Sequence, residues 1–173
     1  ELAKTGKPVI ALVMCGRPVI FNEIREHADA VLCTWWLGSE AGNAICNVLW
    51  GEYNPSAKLP MTFPAHVGQI PIYYQNKSTG RPTALKQTYK ASYIDASTEP
   101  AYPFGYGLSY TDFGYSDLKL LPGKAAGVHT EVSVKVTNTG KCAGEEVVQL
   151  YVQDKVASVT RPIKELKGFR KIH

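Results

Sequence analysis

The run Tyr102-Pro103-Phe104-Gly105-Tyr106-Gly107-Leu108-Ser109-Tyr110 separates two different kinds of sequence within one chain. Before it, apolar runs alternate with helical patterns. After it, only strand patterns occur. Glycine lets a backbone approach a neighbour closely and adopt positive φ, while each large ring buries apolar area. The alternation of glycines and rings at this change of pattern predicts a junction between two domains.

In the first part, Val9-Ile10-Ala11-Leu12-Val13-Met14-Cys15 reads as a strand buried on both faces of a sheet, ended by Gly16-Arg17-Pro18. A short helix or turn around residues 22–27 leads to a second buried strand, Ala30-Val31-Leu32-Cys33-Thr34-Trp35. Strand, crossover and strand at this spacing make a βαβ unit with parallel strands. Gly38-Ser39-Glu40-Ala41-Gly42 opens a further helix, with Ser39 as the expected N-cap and Glu40 suited to the positive end. Gly51 is placed to end it, and the prolines of Leu59-Pro60-Met61-Thr62-Phe63-Pro64 dictate an extended segment. Residues 75–99 read as a long surface loop, a kind of segment that is often functional.

In the second part, residues 116–121, 128–138, 146–153 and 166–172 read as strands, with turns at Pro122-Gly123 and Asn138-Thr139-Gly140. Val128, Thr130, Val132, Val134 and Val136 alternate with His129, Glu131, Ser133 and Lys135, the pattern of a sandwich strand with one face in a core. Both parts read as incomplete. Two parallel strands are a piece of a layered α/β domain, and the strands of the second part fall short of the ~7 of an immunoglobulin-like sandwich.

Composition narrows the function classes. Hydrophobic residues at 45% and charged residues at 20% are ordinary for a globular protein, and no apolar run is long enough to span a membrane. The net charge of +4 is spread along the chain, so no nucleic-acid partner is expected. The four cysteines, Cys15, Cys33, Cys46 and Cys142, lack metal or redox spacing and read as small hydrophobes. None of His27, His66, His129 and His173 pairs with another at ligand spacing, and no Ser, His and acid triad stands out. No metal site is expected.

Glu40, Asp95 and Glu99 are carboxylates in loops or at strand ends, but glycosidase chemistry needs two that meet, which spacing does not show. Trp35 and Trp36 end a strand at a βα loop, where ligand-facing residues of α/β sheets collect. Successive residues face opposite ways, so one ring facing a core and the other a cleft would suit a sugar-stacking platform. Core packing alone also accounts for both. Asn76-Lys77-Ser78 is a glycosylation sequon that matters only in a eukaryotic secreted setting.

Many of these segments, in order, resemble the C-terminal part of family-3 glycoside hydrolases, bacterial periplasmic β-glucosidases in particular. The resemblance runs through Thr5-Gly6-Lys7-Pro8-Val9, Gly38-Ser39-Glu40-Ala41-Gly42-Asn43-Ala44 and Gly51-Glu52-Tyr53-Asn54-Pro55-Ser56-Ala57-Lys58-Leu59-Pro60. Gly68-Gln69-Ile70-Pro71, Thr79-Gly80-Arg81-Pro82, the run from Pro103 to Tyr110, Val136-Thr137-Asn138-Thr139-Gly140 and Arg161-Pro162-Ile163-Lys164-Glu165-Leu166-Lys167-Gly168-Phe169 continue it.

The resemblance implies an α/β part followed by an all-β part. Residues 1–114 would be the last portion of an α/β sandwich domain, and 115–173 the first portion of a fibronectin type III-like β-sandwich. A (β/α)₈ barrel would precede both. It also implies retaining hydrolysis of β-glucosides or oligosaccharides without metal or organic cofactor, in the periplasm or outside the cell. The nucleophilic Asp would lie on the barrel and the acid/base Glu upstream, so no catalytic residue is expected here. Trp35, Trp36, Ser39, Glu40, Arg81 and Asp95 are carried as pocket or interdomain contacts. Alone, the chain is expected to be inactive and to self-associate through exposed strands.

Overall fold

The structure, a computed structural model, describes residues 1–81, 91–122 and 130–173. Strands β1 (Ile10–Val13) and β2 (Ala30–Cys33) pair in parallel, joined by helix α1 (Asn22–His27). Asp29 fixes the entry to β2: its carboxylate accepts from the Val9 amide at 2.8 Å, and its own amide donates to the Val9 carbonyl at 2.8 Å. The expected βαβ unit is therefore present. Helix α2 (Ala41–Leu49) follows, and Gly51, at φ +80°, turns the chain away in the left-handed conformation expected of it.

Two expectations for this part need correction. Ser39 does not cap α2, because a turn closed by the Ala41 amide on the Gly38 carbonyl at 3.1 Å takes Ser39 into its interior. Glu40 holds the N-cap position instead, and its carboxylate accepts from the Asn43 side chain at 2.5 Å. Nor is β1 buried on both faces: Ile10, Leu12 and Met14 lie on an exposed face, 42–58% accessible, that no described element covers. The cysteines are less buried than expected too, since Cys15 and Cys33 are half-buried while Cys46 and Cys142 are exposed, all as free thiols.

The second part is antiparallel. Strand β3 (Phe113–Pro122) pairs with β4 (Thr130–Asn138), and β5 (Glu146–Val152) pairs with β6 (Glu165–Ile172). The β3–β4 register shifts between Ser116 and Lys119, where Asp117 takes a positive φ of 55° and bulges the strand. Val132, Val134 and Val136 alternate as half-buried residues with exposed neighbours, as the sequence pattern demands, but Thr130, expected on the same face, is exposed at the strand's start. Val128, His129 and Gly123 lie outside the described residues, as do residues 82–90 of the long loop.

The best-buried apolar side chain lies within the first part. Phe63 is the largest fully buried side chain, 1% exposed, and takes Phe21 and Trp35 edge-on at centroid distances of 6.0 and 5.8 Å. Tyr102 bridges to the Phe63 backbone and stacks on Phe21 at 5.9 Å, so the aromatic run reaches this hub directly. Farther along, the Leu59 amide donates to the Tyr106 carbonyl at 2.8 Å and the Gly105 amide to the Leu59 carbonyl at 2.7 Å. Gly107 is required there, because an added Cβ would sit 2.5 Å from the Ala57 carbonyl oxygen. The run thus packs on residues 57–63 of the first part, and from the second part the Gln149 side chain donates to the Gly105 carbonyl at 3.1 Å.

Elsewhere the surface is open. The chain exposes 13272 Å² at a mass of 19.0 kDa, whereas a compact folded monomer of that mass exposes about 8,400 Å². Much of the excess is apolar, including Trp36, Leu118, Leu120 and Phe169.

Candidate functional site

The loops after β1 and β2 emerge at the same end of the parallel pair, the carboxyl end, where α/β sheets gather ligand-binding groups. Cys15 donates its thiol to the Arg17 carbonyl at 3.0 Å, which folds the first loop tightly. Thr34, buried, donates through its amide to the Val13 carbonyl at 3.1 Å and carries the β2 chain onward.

At that point the backbone turns sharply. Trp35 has a φ of 55°, a left-handed conformation that a bulky residue adopts only at a cost of order 1–3 kcal/mol. The turn sends the two rings apart, as the sequence allowed. Trp35 goes inward to Phe63, and Trp36, 82% exposed, lies across the backbone of Gly16, whose added Cβ would touch the indole at 3.4 Å. A flat, solvent-facing ring held against a glycine is a surface on which a sugar face can stack.

Ser39 and Glu40 continue the same loop and are exposed. Arg81 and Asp95 are exposed on the long loop; among the described residues neither forms an ion pair, and no side-chain bond ties either to Trp36, Ser39 or Glu40. Glu99 is turned to the same loop's own structure: its carbonyl, with that of Ser97, accepts from the buried Gln69 amide at 3.0 and 2.9 Å. No two of Glu40, Asp95 and Glu99 are brought together by a described contact. Burial pushes the Cys33 thiol up, with a smaller push from Cys15, so it stays protonated at neutral pH rather than acting as a nucleophile. Among the described residues the loop group thus presents an exposed ring and separate exposed polar groups.

Sequence reasoning missed a second group, on the polar side of the junction. Glu145 accepts from the Tyr53 hydroxyl at 2.7 Å and the Ser56 hydroxyl at 3.1 Å, and pairs with Lys171 and with His173 at 3.2 Å. Lys171 foremost, then the Tyr53 and Ser56 hydroxyls, hold the Glu145 carboxyl down at about 2. Glu146, next in sequence and 8% exposed, pairs with Lys58 at 3.2 Å and accepts from the Tyr115 hydroxyl at 3.2 Å. Burial, then the charge and hydrogen bond of Glu146, push the Tyr115 phenol up to about 12. An open cleft of about 490 Å³ lies beside Glu145, lined in part by Tyr53, Asn54, Phe113 and Ile172. The only sequence signal was a pair of adjacent acids leading into an apolar strand.

Comparison with known proteins agrees with this architecture. The glycosyl hydrolase family 3 C-terminal domain matches residues 1–110, and a fibronectin type III-like domain matches residues 146–173. The chain belongs to glycosyl hydrolase family 3, of whose C-terminal region it is a part. It is 51% identical to a periplasmic beta-glucosidase of Salmonella typhimurium, over 99% of this chain and 23% of that protein. It is 48% identical to a beta-xylosidase of Formosa agariphila, over 98% of this chain and 23% of that one. A crystal structure of beta-glucosidase from Listeria innocua in complex with glucose superposes with a TM-score of 0.93 at 42% identity, over 99% of this chain and 24% of that chain. The chain therefore spans about a quarter of the length of these relatives.

Proposed function

We propose that this chain is the C-terminal part of a retaining β-glucosidase that removes terminal β-D-glucosyl residues in carbohydrate catabolism, in the periplasm or outside the cell. The observation that carries the reading is the likeness, across nearly the whole chain, to a β-glucosidase structure that holds glucose. Retention needs a nucleophile and an acid/base about 5–5.5 Å apart. No described contact brings Glu40, Asp95 and Glu99 together, and in this reading both catalytic groups belong to a barrel and an upstream segment that these residues complete.

In this reading residues 1–114 are the end of the α/β sandwich domain and 115–173 the start of the fibronectin-like domain. The Trp36 ring and the exposed groups of Ser39 and Glu40 line the rim of the sugar site, while Trp35 fixes the turn that presents them. Arg81 and Asp95 are contacts from the long loop to the same rim or to the barrel. The exposed face of Ile10, Leu12 and Met14 docks on the rest of its own domain.

The test is hydrolysis of aryl β-glucoside and aryl β-xyloside by the natural protein at its full length and by these 173 residues alone. Glucoside turnover by the former and none by the latter is the expected result. Preference for the xyloside would move the substrate to the β-xylosidase relative's class, a reading its similar identity supports. Inertness of both would make the region a non-catalytic scaffold or carbohydrate-binding module. Trp36→Ala is expected to raise KM more than it lowers kcat. Released from its context, the chain self-associates through its open strand edges; a monodisperse monomer in light scattering refutes this.

A further inference from the structure

The segment Tyr53-Asn54-Pro55-Ser56-Ala57-Lys58 makes more polar contacts across the junction than any role in sugar binding requires. It leaves α2 after Gly51 and runs toward the Phe63 hub. Tyr53 and Ser56 meet Glu145, and Lys58 meets Glu146. Between them, the Asn54 side chain accepts from the Tyr110 amide at 2.7 Å and donates to the Ser109 hydroxyl at 3.0 Å. Gly144 passes so close to Asn54 that an added Cβ would stand 2.6 Å from its side-chain nitrogen. Lys58 also donates to the Gly107 carbonyl at 2.9 Å, which ties in the connecting run.

We infer that this segment is the receptor of an interdomain lock whose key is the Glu145-Glu146 pair, and that the lock sets the angle at which the strand part docks. Adjacent residues entering a strand project to opposite sides, so the two carboxylates grip the segment at two separate points. Two grips fix a rotation, where one would leave a swivel. The Lys58–Glu146 pair is 14% and 11% exposed, so each charge is largely desolvated and tolerates no position in which the other is absent. Such pairs add little net stability compared with apolar substitutes, yet they penalise every misdocked arrangement. The hydroxyls of Tyr115 and Ser56 occupy remaining acceptor sites on the carboxylates, and no side-chain polar atom buried among the described residues lacks a partner. The lock does not depend on the proposed glycosidase activity.

The test is hydrogen exchange on the natural protein at its full length, with variants Lys58→Met, Glu146→Gln and the double variant Lys58→Met/Glu146→Leu. The amides of Ile163 and Thr139, which donate to the Asn76 and Asp112 carbonyls at 3.0 and 2.8 Å, are the junction amides that report the lock, and the β1–β2 amides serve as the internal reference. Each single variant is expected to speed exchange at the junction roughly 10- to 100-fold and leave the reference unchanged. The double variant should regain the parent's melting temperature while its junction amides stay fast. If junction and reference speed up together, the pair serves overall stability and the inference fails. It fails equally if the single variants exchange like the parent, or if the double variant restores junction protection. Ser56→Ala, which leaves the charges in place, gives a milder effect at the same amides should the charge variants not fold.

Discussion

Two apolar regions of this molecule are buried in the reverse of the order their sequences suggest. The β1 strand is a continuous apolar run, yet one of its faces lies open to solvent. The segment around Phe63, interrupted by prolines and followed by a polar loop, holds the best-buried aromatic side chain. Burial here is set by what the chain can bring to a residue, not by that residue's local pattern. The aromatic run returns to Phe63 from about forty positions away along the chain and closes over it. Strand β2 returns alongside Leu12, but no described element covers the open face. The surroundings of Phe63 are closed, while the β1 face is left open among the described residues.

Substitutions should separate the two regions. The largest effect is expected from Phe63→Ala, which empties the hub and costs about 3–5 kcal/mol in denaturant unfolding. Leu12→Ser, in a continuous apolar strand, should change the stability of the isolated chain by less than about 0.5 kcal/mol. A large loss from Leu12→Ser would mean that its face is covered after all. Next comes Gly107→Ala, which drives a methyl group into the Ala57 carbonyl and should cost about 1–3 kcal/mol. The same change at Gly42, where an added Cβ meets nothing within 4 Å, should be neutral or stabilising.

The smallest effect is a dependence on alkaline pH. Folded Tyr115 keeps its proton to about 12, while an unfolded tyrosine releases it near 10. The folded state therefore binds the proton more tightly. Its contribution is complete below pH 10 and is lost as pH rises toward 12. Glu146 and Lys58 share that environment, and lysines titrate in the same range, so the useful quantity is the difference between parent and Tyr115→Phe. The parent should lose more stability than the variant between pH 10 and 12. Parallel curves would mean that the phenol is not held as the geometry indicates.

Order and type of element were legible because they depend on neighbours in sequence. The apolar runs, the crossover spacing and the alternation in β4 each carry their own period, and Gly51 and the aromatic run announce a stop and a joint. Ser39 was misread because capping depends on the exact residue at which a turn gives way to helix. The exposed β1 face was misread because a run of apolar residues reports what a strand needs, not whether it is supplied. The division of labour between Trp35 and Trp36 was half legible: alternation told that they part, and only the positive φ at Trp35 tells which ring turns outward. Glu145 and Glu146 were not legible at all. Their partners Tyr53, Ser56, Lys58 and Tyr115 lie 31–92 positions away, and no periodic signal spans such distances.

The hydroxyl of Tyr110 donates to the carbonyl of Val48, in the last turn of α2, at 2.7 Å. The opposite end of that helix begins at Glu40, on the loop that also carries Trp36. A helix of nine residues is a stiff rod about 13 Å long. One tip of the rod is pinned to the aromatic run and the other begins the loop that carries Trp36, so α2 is built as a lever. A slight rotation at the pinned tip becomes a displacement of the loop at the far end.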